Sequence, residues 1–243
     1  MRVAVLNDIH GLPALEAVLG EVQEAGVDVV VCGGDVVGGP FSAEVFDRLA
    51  SLPAVRFLHG NGDRMVLEGV DEHGVDWDAE RKRLGETRLA EIAAWPLTVE
   101  LEVEGLGQTL FCHAIPTADE PIFTRLTPDE DVVELFGDLA ADVVVVGHTH
   151  VQFDRKLLPS GPRVVNAGSV GMPYGGHRGA FWALLGPEVD LRRTDYDVDA
   201  AAAAIRAVGG DGNEYLAGVL LDPPDPDETS RFFETQRLQQ RGP

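Results

Sequence analysis

Lysine is almost missing from this sequence: Lys82 and Lys156 are the only two among 243 residues. Arginine carries nearly all the positive charge, and 19 basic against 41 acidic side chains leave a formal net charge of −22. DNA or an anionic membrane face is gripped by clustered Lys and Arg that release counterions. The shortage excludes non-specific nucleic-acid binding as a main role, and neither a nucleic-acid polymer nor a membrane is expected as a partner. Cysteine is scarce too. Cys32 and Cys112 each sit inside an apolar strand-like run, as small buried hydrophobes rather than parts of a disulfide framework. No run approaches the roughly 18 apolar residues of a membrane-spanning helix, and the start MRVAVLNDIH lacks the basic stretch and long apolar region of a secretory signal. The expected compartment is the cytoplasm.

What is present is an ordinary globular composition, 44% hydrophobic and 25% charged, long enough for one large domain or two small ones. The first half alternates strand-like and helix-like stretches, the pattern of an α/β sheet. Residues 2–6, 27–32 and 55–58 read as buried strands. Between them, Leu12, Leu15, Val18, Leu19 and Val22 repeat at helical spacing over 12–25, with Pro13 and Gly26 as punctuation. A second helix is expected over 42–50, with Ser42 as its N-cap. Residues 64–95 turn helical and highly charged and read as an insertion beside the sheet, ended by Pro96. Residues 97–104 alternate apolar and polar side chains and return over 108–112, as a strand pair with one wet face. A helix over 129–139, an all-valine strand over 143–146, a hairpin turning at Ser160-Gly161-Pro162 and strands over 181–185 and 189–196 follow. The remainder, 196–243, reads as an acidic, partly helical tail. It has helices over 199–208 and 231–240, and an extended proline-rich stretch LDPPDPDE over 221–228.

Five short segments stand out because each follows a strand-like run and carries side chains that bind divalent metals. They are Asp8-Ile9-His10-Gly11, Gly33-Gly34-Asp35, Gly60-Asn61-Gly62-Asp63, Cys112-His113 and Gly147-His148-Thr149-His150. In an α/β sheet, loops at the carboxyl ends of strands converge on one edge. Carboxylate, imidazole and amide ligands together suit borderline cations such as manganese, iron, zinc or nickel better than an all-oxygen set would. A carboxylate shared by two such cations fixes their spacing and holds an ionised water between them, aimed at phosphorus.

Asp-x-His, Gly-Asp, Gly-Asn-x-Asp, a lone His after a strand and Gly-His-x-His, in that order, resemble the calcineurin-like metallophosphoesterase family over residues 1–195. The likeness is greatest to its small bacterial and archaeal members, whose late Asn-x-Gly-Ser turn is matched by Asn166-Ala167-Gly168-Ser169. The resemblance implies an α/β fold with a four-layer α-β-β-α sandwich of two mixed sheets. It implies that Asp8, His10, Asp35 and His150 hold one divalent metal and Asp35, Asn61, His113 and His148 a second, manganese first, with iron, zinc, nickel or magnesium as alternatives. Asp35, Asn61 and His113 become the catalytic residues around a metal-bridging hydroxide. The implied activity is phosphoester hydrolysis, as a phosphodiesterase on a small phosphorylated substrate. A protein phosphatase, a dinucleoside-polyphosphate hydrolase and a non-catalytic scaffold of this fold are the alternatives.

One departure bears on the substrate. Many relatives carry His after Gly-Asn, as the acid that protonates the leaving oxygen, and here the position is Gly62. Loss of that acid matters least for diesters and anhydrides with stable leaving groups. A second departure is Leu12, where many relatives carry Asn. Near the site, Arg64, His59 and His177 are candidate substrate contacts. Arg64 is open equally to a salt bridge, His59 to a scaffold role and His73 to solvent, while Asp63 suits a loop anchor.

With 41 acids on one chain, mutual repulsion opposes the compact state and is screened as the Debye length falls from about 10 Å at 0.1 M salt to about 3 Å at 1 M. The thermal midpoint is therefore expected to rise with sodium chloride over that range. A midpoint that does not move would show that the surface acids are already compensated.

Overall fold

The computed structural model describes residues 1–69, 77–158 and 161–240. His73 and Ser160 lie outside them. Ten strands form two mixed five-stranded sheets. In the first, β1 (Val3–Leu6), β2 (Val29–Gly33) and β3 (Val55–Leu58) are parallel. The antiparallel strands β9 (Ala180–Leu185) and β10 (Val189–Thr194) extend it from β1. In the second, β5 (Gly107–Cys112), β6 (Val143–Val146) and β8 (Arg163–Asn166) are parallel. The antiparallel β4 (Thr98–Val103) flanks β5, and the antiparallel β7 (Phe153–Lys156) flanks β8 as the expected hairpin.

The period-2 alternation of strand side chains explains the layers. Val3, Val5, Val29, Val31, Phe111, Val143, Val145 and Val165 point between the sheets. Their neighbours Ala4, Leu6, Val30 and Cys32 face outward beneath α1 (Leu12–Ala25) and α2 (Ser42–Ala50). Leu110, Cys112, Val144, Val146 and Val164 face the other way, toward α5 (Asp129–Phe136). Strands buried on both faces must read as unbroken apolar runs, and the all-valine β6 is the plainest case. The result is the expected four-layer sandwich. Both cysteines are buried and free, and burial pushes both thiols up.

The charged segment 64–95 holds part of α3 (Asn61–Glu68) and α4 (Trp77–Ile92), and α4 packs on α2 and α3. Trp95 stacks on Phe57 with ring centroids 4.7 Å apart and lies 6.0 Å from Phe46, while Arg88 grips Asp47 with two bonds of 2.7 and 2.8 Å.

Two local expectations need correction. Ser42 is the first residue of α2, not its cap. Its hydroxyl accepts from the amides of Gly38 and Gly39 and donates to the Gly39 carbonyl, closing the preceding loop instead. The C-terminal part contains three helices among the described residues, α6 (Val198–Val208), α7 (Asp211–Leu221) and α8 (Pro226–Gln240), of which α7 lies where the sequence reading assigned no element. The extended stretch shrinks to Asp222–Asp225, because Pro226 starts α8 and the Asp225 carboxylate accepts from the amides of Asp227 and Glu228 at 2.9 Å each. Proline and aspartate here begin a helix rather than prevent one. Among the described residues no helix is long and apolar enough to cross a membrane.

Phe111 is buried between the sheets. Phe111→Ala should cost about 3–5 kcal/mol, which lowers the midpoint by about 6–20 °C at this chain length. Leu158→Ala, at a residue 67% exposed, should change stability by less than about 0.5 kcal/mol. Thermal unfolding of the two variants tests this contrast.

Candidate active site

The parallel strands β1, β2, β3, β5 and β6 deliver Asp8 and His10, Asp35, Asn61, His113, and His148 and His150 to one end of the two sheets. To turn back over that end the chain leaves the extended region abruptly. Asp8, His10, Asp35, His148 and His150 have φ of 50, 41, 51, 64 and 57°, and among the described residues no other non-glycine residue has positive φ. Left-handed backbone costs a residue with a Cβ about 1 kcal/mol or more, and such outliers cluster where function demands them.

Hydrogen bonds hold these turns. The Asn7 side chain donates to the Val146 carbonyl at 2.7 Å, joining β1 of one sheet to β6 of the other, and the His148 amide donates to Asp8 Oδ2 at 3.2 Å. Ser169 Oγ donates to the Asp8 carbonyl at 2.8 Å, and Asn166 Nδ2 donates to the Gly147 carbonyl at 2.7 Å. Gly147 lies so close that a Cβ there would stand 2.7 Å from Asp8 Oδ2 and 2.8 Å from Asn7 Nδ2, and one on Gly34 would stand 2.5 Å from His113 Nδ1. Only glycine permits either approach.

Asp8, His10, Asp35 and His150 present ligand atoms that all lie within 4.8 Å of one another. His113 Nε2 stands 3.5 Å from Asp35 Oδ2 and 3.1 Å from Asn61 Oδ1, and the His148 ring is 5.1 Å from that of His113. All seven predicted ligands are therefore brought together around Asp35. The imidazoles are oriented from behind by backbone carbonyls, which only accept. His113 Nδ1–H donates to Gly33 at 2.9 Å, His150 Nδ1–H to Met172 at 2.7 Å, and His148 Nε2–H to Glu120 at 3.1 Å. The opposite nitrogen of each faces the cluster, the arrangement of metal-binding histidines once that nitrogen is deprotonated; in His113 it carries a proton toward Asn61 Oδ1 and Asp35 Oδ2. His10 Nε2 is buried without a hydrogen-bond partner, and Asp8 Oδ1 meets His150 Nε2 at 3.1 Å. A buried orphan of this kind is costly. Ring nitrogens and carboxylate oxygens facing one small space, as a mixed carboxylate and imidazole set, fit a divalent transition cation.

Electrostatics agree. Burial alone would lower the pKa of His113, but Asp35 and Asp8 overcome it and push it up to about 10. Burial resists ionisation of Asp35, yet His113 holds its carboxyl far below the usual range. Burial and the charge on His113 take His148 down to about 4, and burial also lowers His10. His150 is raised against its burial by Asp8.

The other candidates sort differently. Asp63 is a loop anchor: its carboxylate accepts from the amides of Val36, Val37 and Gly60 at 2.9–3.0 Å. Burial and the charge of Asp35 push its pKa up to about 7. Arg64 has its fork on Asp119 and further contacts to Glu68 and Glu120 at 3.1 Å, so it takes the salt-bridge role. His59 Nδ1 faces Asp119 at 3.6 Å. His177 is exposed in the loop before β9 and takes no part in the hydrogen bonds that build the cluster. Sequence reading missed Asn7, whose only signal was a polar residue ending a strand, and Asn61 as the first residue of a helix rather than a loop residue.

In the metal-free fold His113 keeps its proton to about pH 10, whereas in the unfolded chain it loses it near 6.5. Its stabilising contribution is thus complete below pH 6.5 and disappears as pH rises toward 10. A cation taking His113 as a ligand would have to displace that proton. Calorimetric titration with Mn²⁺ at pH 7.5 in buffers of different ionisation enthalpy should show release of about one proton or more per chain, and affinity should rise with pH. Binding without proton release would contradict this account of His113.

Comparison with known proteins agrees with this geometry. Residues 1–185 match the model of the calcineurin-like phosphoesterase superfamily domain. An uncharacterized protein of Methanocaldococcus jannaschii is 30% identical over 226 residues, covering 82% of this chain and 89% of that one. The crystal structure of a metallophosphoesterase from Sphaerobacter thermophilus superposes with a TM-score of 0.72 at 25% identity, covering 92% of this chain and 99% of that one. A hypothetical protein from Pyrococcus horikoshii shares the fold, with a TM-score of 0.74 at 19% identity and the same coverage. This chain belongs to the calcineurin-like phosphoesterase superfamily.

Proposed function

We propose that this protein is a metal-dependent phosphoester hydrolase with a dinuclear centre, acting as a phosphodiesterase on a small phosphorylated substrate. The observation that carries the reading is the buried cluster of Asp8, His10, Asp35 and His150, which shares Asp35 with the neighbouring set of Asn61, His113 and His148. Two divalent cations, manganese foremost, would supply an ionised water and charge neutralisation at the phosphoryl oxygens.

The chain's own groups then have separate tasks. Asp35 is held in a fixed orientation by the Gly62 amide, which donates to Oδ1 at 2.7 Å. Asn61 turns its Oδ1 to His113 and keeps its amide N–H groups for a phosphoryl oxygen. Arg64 is engaged by carboxylates, so the phosphate depends on Asn61 and the centre itself. No imidazole stands at position 62 to protonate a leaving oxygen, which favours substrates whose leaving groups need little help. The acidic body disfavours long polyanions and leaves small phosphorylated molecules as the substrate class.

Protein purified without chelator should carry about two transition-metal ions per chain by elemental analysis, and Asp35→Ala should lose both metal and activity. Across aryl diesters, aryl monoesters, alkyl monoesters, cyclic nucleotides, dinucleoside polyphosphates and phosphopeptides assayed with Mn²⁺, kcat/KM should be highest for diesters or anhydrides. Highest values for alkyl monoesters would sink the diesterase reading. A metal-free, inactive protein would favour a scaffold.

A further inference from the structure

Both histidines of Gly147-His148-Thr149-His150 are oriented by carbonyls from loops remote in sequence, Glu120 for His148 and Met172 for His150. Each loop leans on helix α8. On one side Tyr174 stacks on the His150 ring with centroids 4.7 Å apart and planes 20° from parallel, and its amide donates to the His150 carbonyl at 3.3 Å. Tyr174 also meets Phe233 of α8 with ring centroids 6.2 Å apart, and Tyr174, Val151 and Val219 form a small apolar cluster with Met172 and Phe233. On the other side, the segment after Glu120 is tied to α8 by polar contacts. Thr124 Oγ1 donates to Glu234 at 2.8 Å, Thr127 Oγ1 also donates to Glu234, and the Ile122 amide donates to Gln240 at 3.2 Å. Arg237, buried, joins Glu234 at 2.8 Å and Asp131 at 3.1 Å.

The inward stripe of α8 is therefore Ser230, Phe233, Glu234 and Arg237, at helical spacing but mostly polar. Area burial alone gives such a face little reason to dock. Satisfying its half-buried Glu234 carboxylate and buried Arg237 guanidinium requires these loops in these positions.

We propose that α8 is a brace for the metal centre, with Phe233 acting through Tyr174 on His150 and Glu234 acting through the 120–127 loop on His148. Neighbouring residues of one helix thus set the affinity of the two metal positions separately, from outside the ligand set. Phe233, Glu234 and Tyr174 are positioning residues. The inference rests on the dinuclear reading above. It adds that the segment beyond residues 1–185 is coupled to the site, and coupling of this kind is reciprocal: cations should steady α8 as α8 steadies the ligands.

Equilibrium dialysis of the full chain against Mn²⁺, read by elemental analysis, and hydrogen exchange with and without Mn²⁺ test it. Phe233→Ala should weaken one of two bound Mn²⁺ by at least about five-fold, and Glu234→Ala should weaken the other. Phe233→Leu should restore the first. In the unmodified protein Mn²⁺ should slow amide exchange along α8, a readout that holds even if a variant fails to fold. Folded variants that bind two Mn²⁺ with unaltered affinity, or α8 exchange indifferent to Mn²⁺, would overturn the brace. An unmodified protein that binds no Mn²⁺ would instead overturn the dinuclear reading itself.

Discussion

Five side chains at the ends of parallel strands point into one small space, and the backbone can aim them there only by entering the left-handed region at Asp8, His10, Asp35, His148 and His150. Each such turn costs about 1 kcal/mol or more, against a net stability of about 5–15 kcal/mol for a whole domain. Much of the local structure offsets that cost. The Asn7 side chain ties the first sheet to the second at the Val146 carbonyl, and the His113 ring ties the second back to the first at the Gly33 carbonyl. Ser169 and Asn166 fasten the loops from the far side. Without these cross-links the two sheets would still share a valine core, but their ends would have no reason to meet in register.

The same crowding fixes the charge state. Two buried carboxylates and four imidazoles within a few ångströms cannot all take their solution forms, so protons distribute unevenly. His113 is charged, while His148 and His10 are pushed toward neutrality. The Asp35 carboxylate is thus balanced by imidazolium, and under the proposed function cations would take over that balance as protons leave. This separates the centre from the rest of the molecule. The surplus of acids on the body acts by long-range repulsion that salt screens, whereas the buried pairs are screened little.

The layered architecture was legible because strands buried on both faces must be apolar throughout, as in Val143–Val146, and because helix α1 repeats its apolar residues at 3.6 spacing. The candidate cluster was legible because side chains of metal-binding type recur at successive strand ends. Other features were hidden for physical reasons. Asn61 starts a helix through backbone and Asp63 contacts that a glycine-rich stretch does not advertise. Pro226 and Asp225 together read as a breaker and act as a start, since which they do depends on the helix that follows. Helix α8 was legible over 231–240, but the way it docks was not, because its inward face is mostly polar and is specified by Glu234 and Arg237 meeting partners more than 100 residues away. Apolar periodicity is blind to a helix docked by hydrogen bonds.

Position 62 joins local geometry to substrate choice. The Gly62 amide donates to Asp35 Oδ1 at 2.7 Å, and a Cβ at this residue would stand 3.0 Å from that oxygen and 3.2 Å from the carboxyl carbon. Any side chain here would force the central carboxylate to give by a few tenths of an ångström. On this backbone, the close grip on Asp35 and an imidazole acid at residue 62 compete for the same space. Glycine is then more than the loss of an acid. It allows the amide to fix the carboxylate at the middle of the cluster, and under the proposed function it would leave the proton of the leaving group to the substrate's own chemistry.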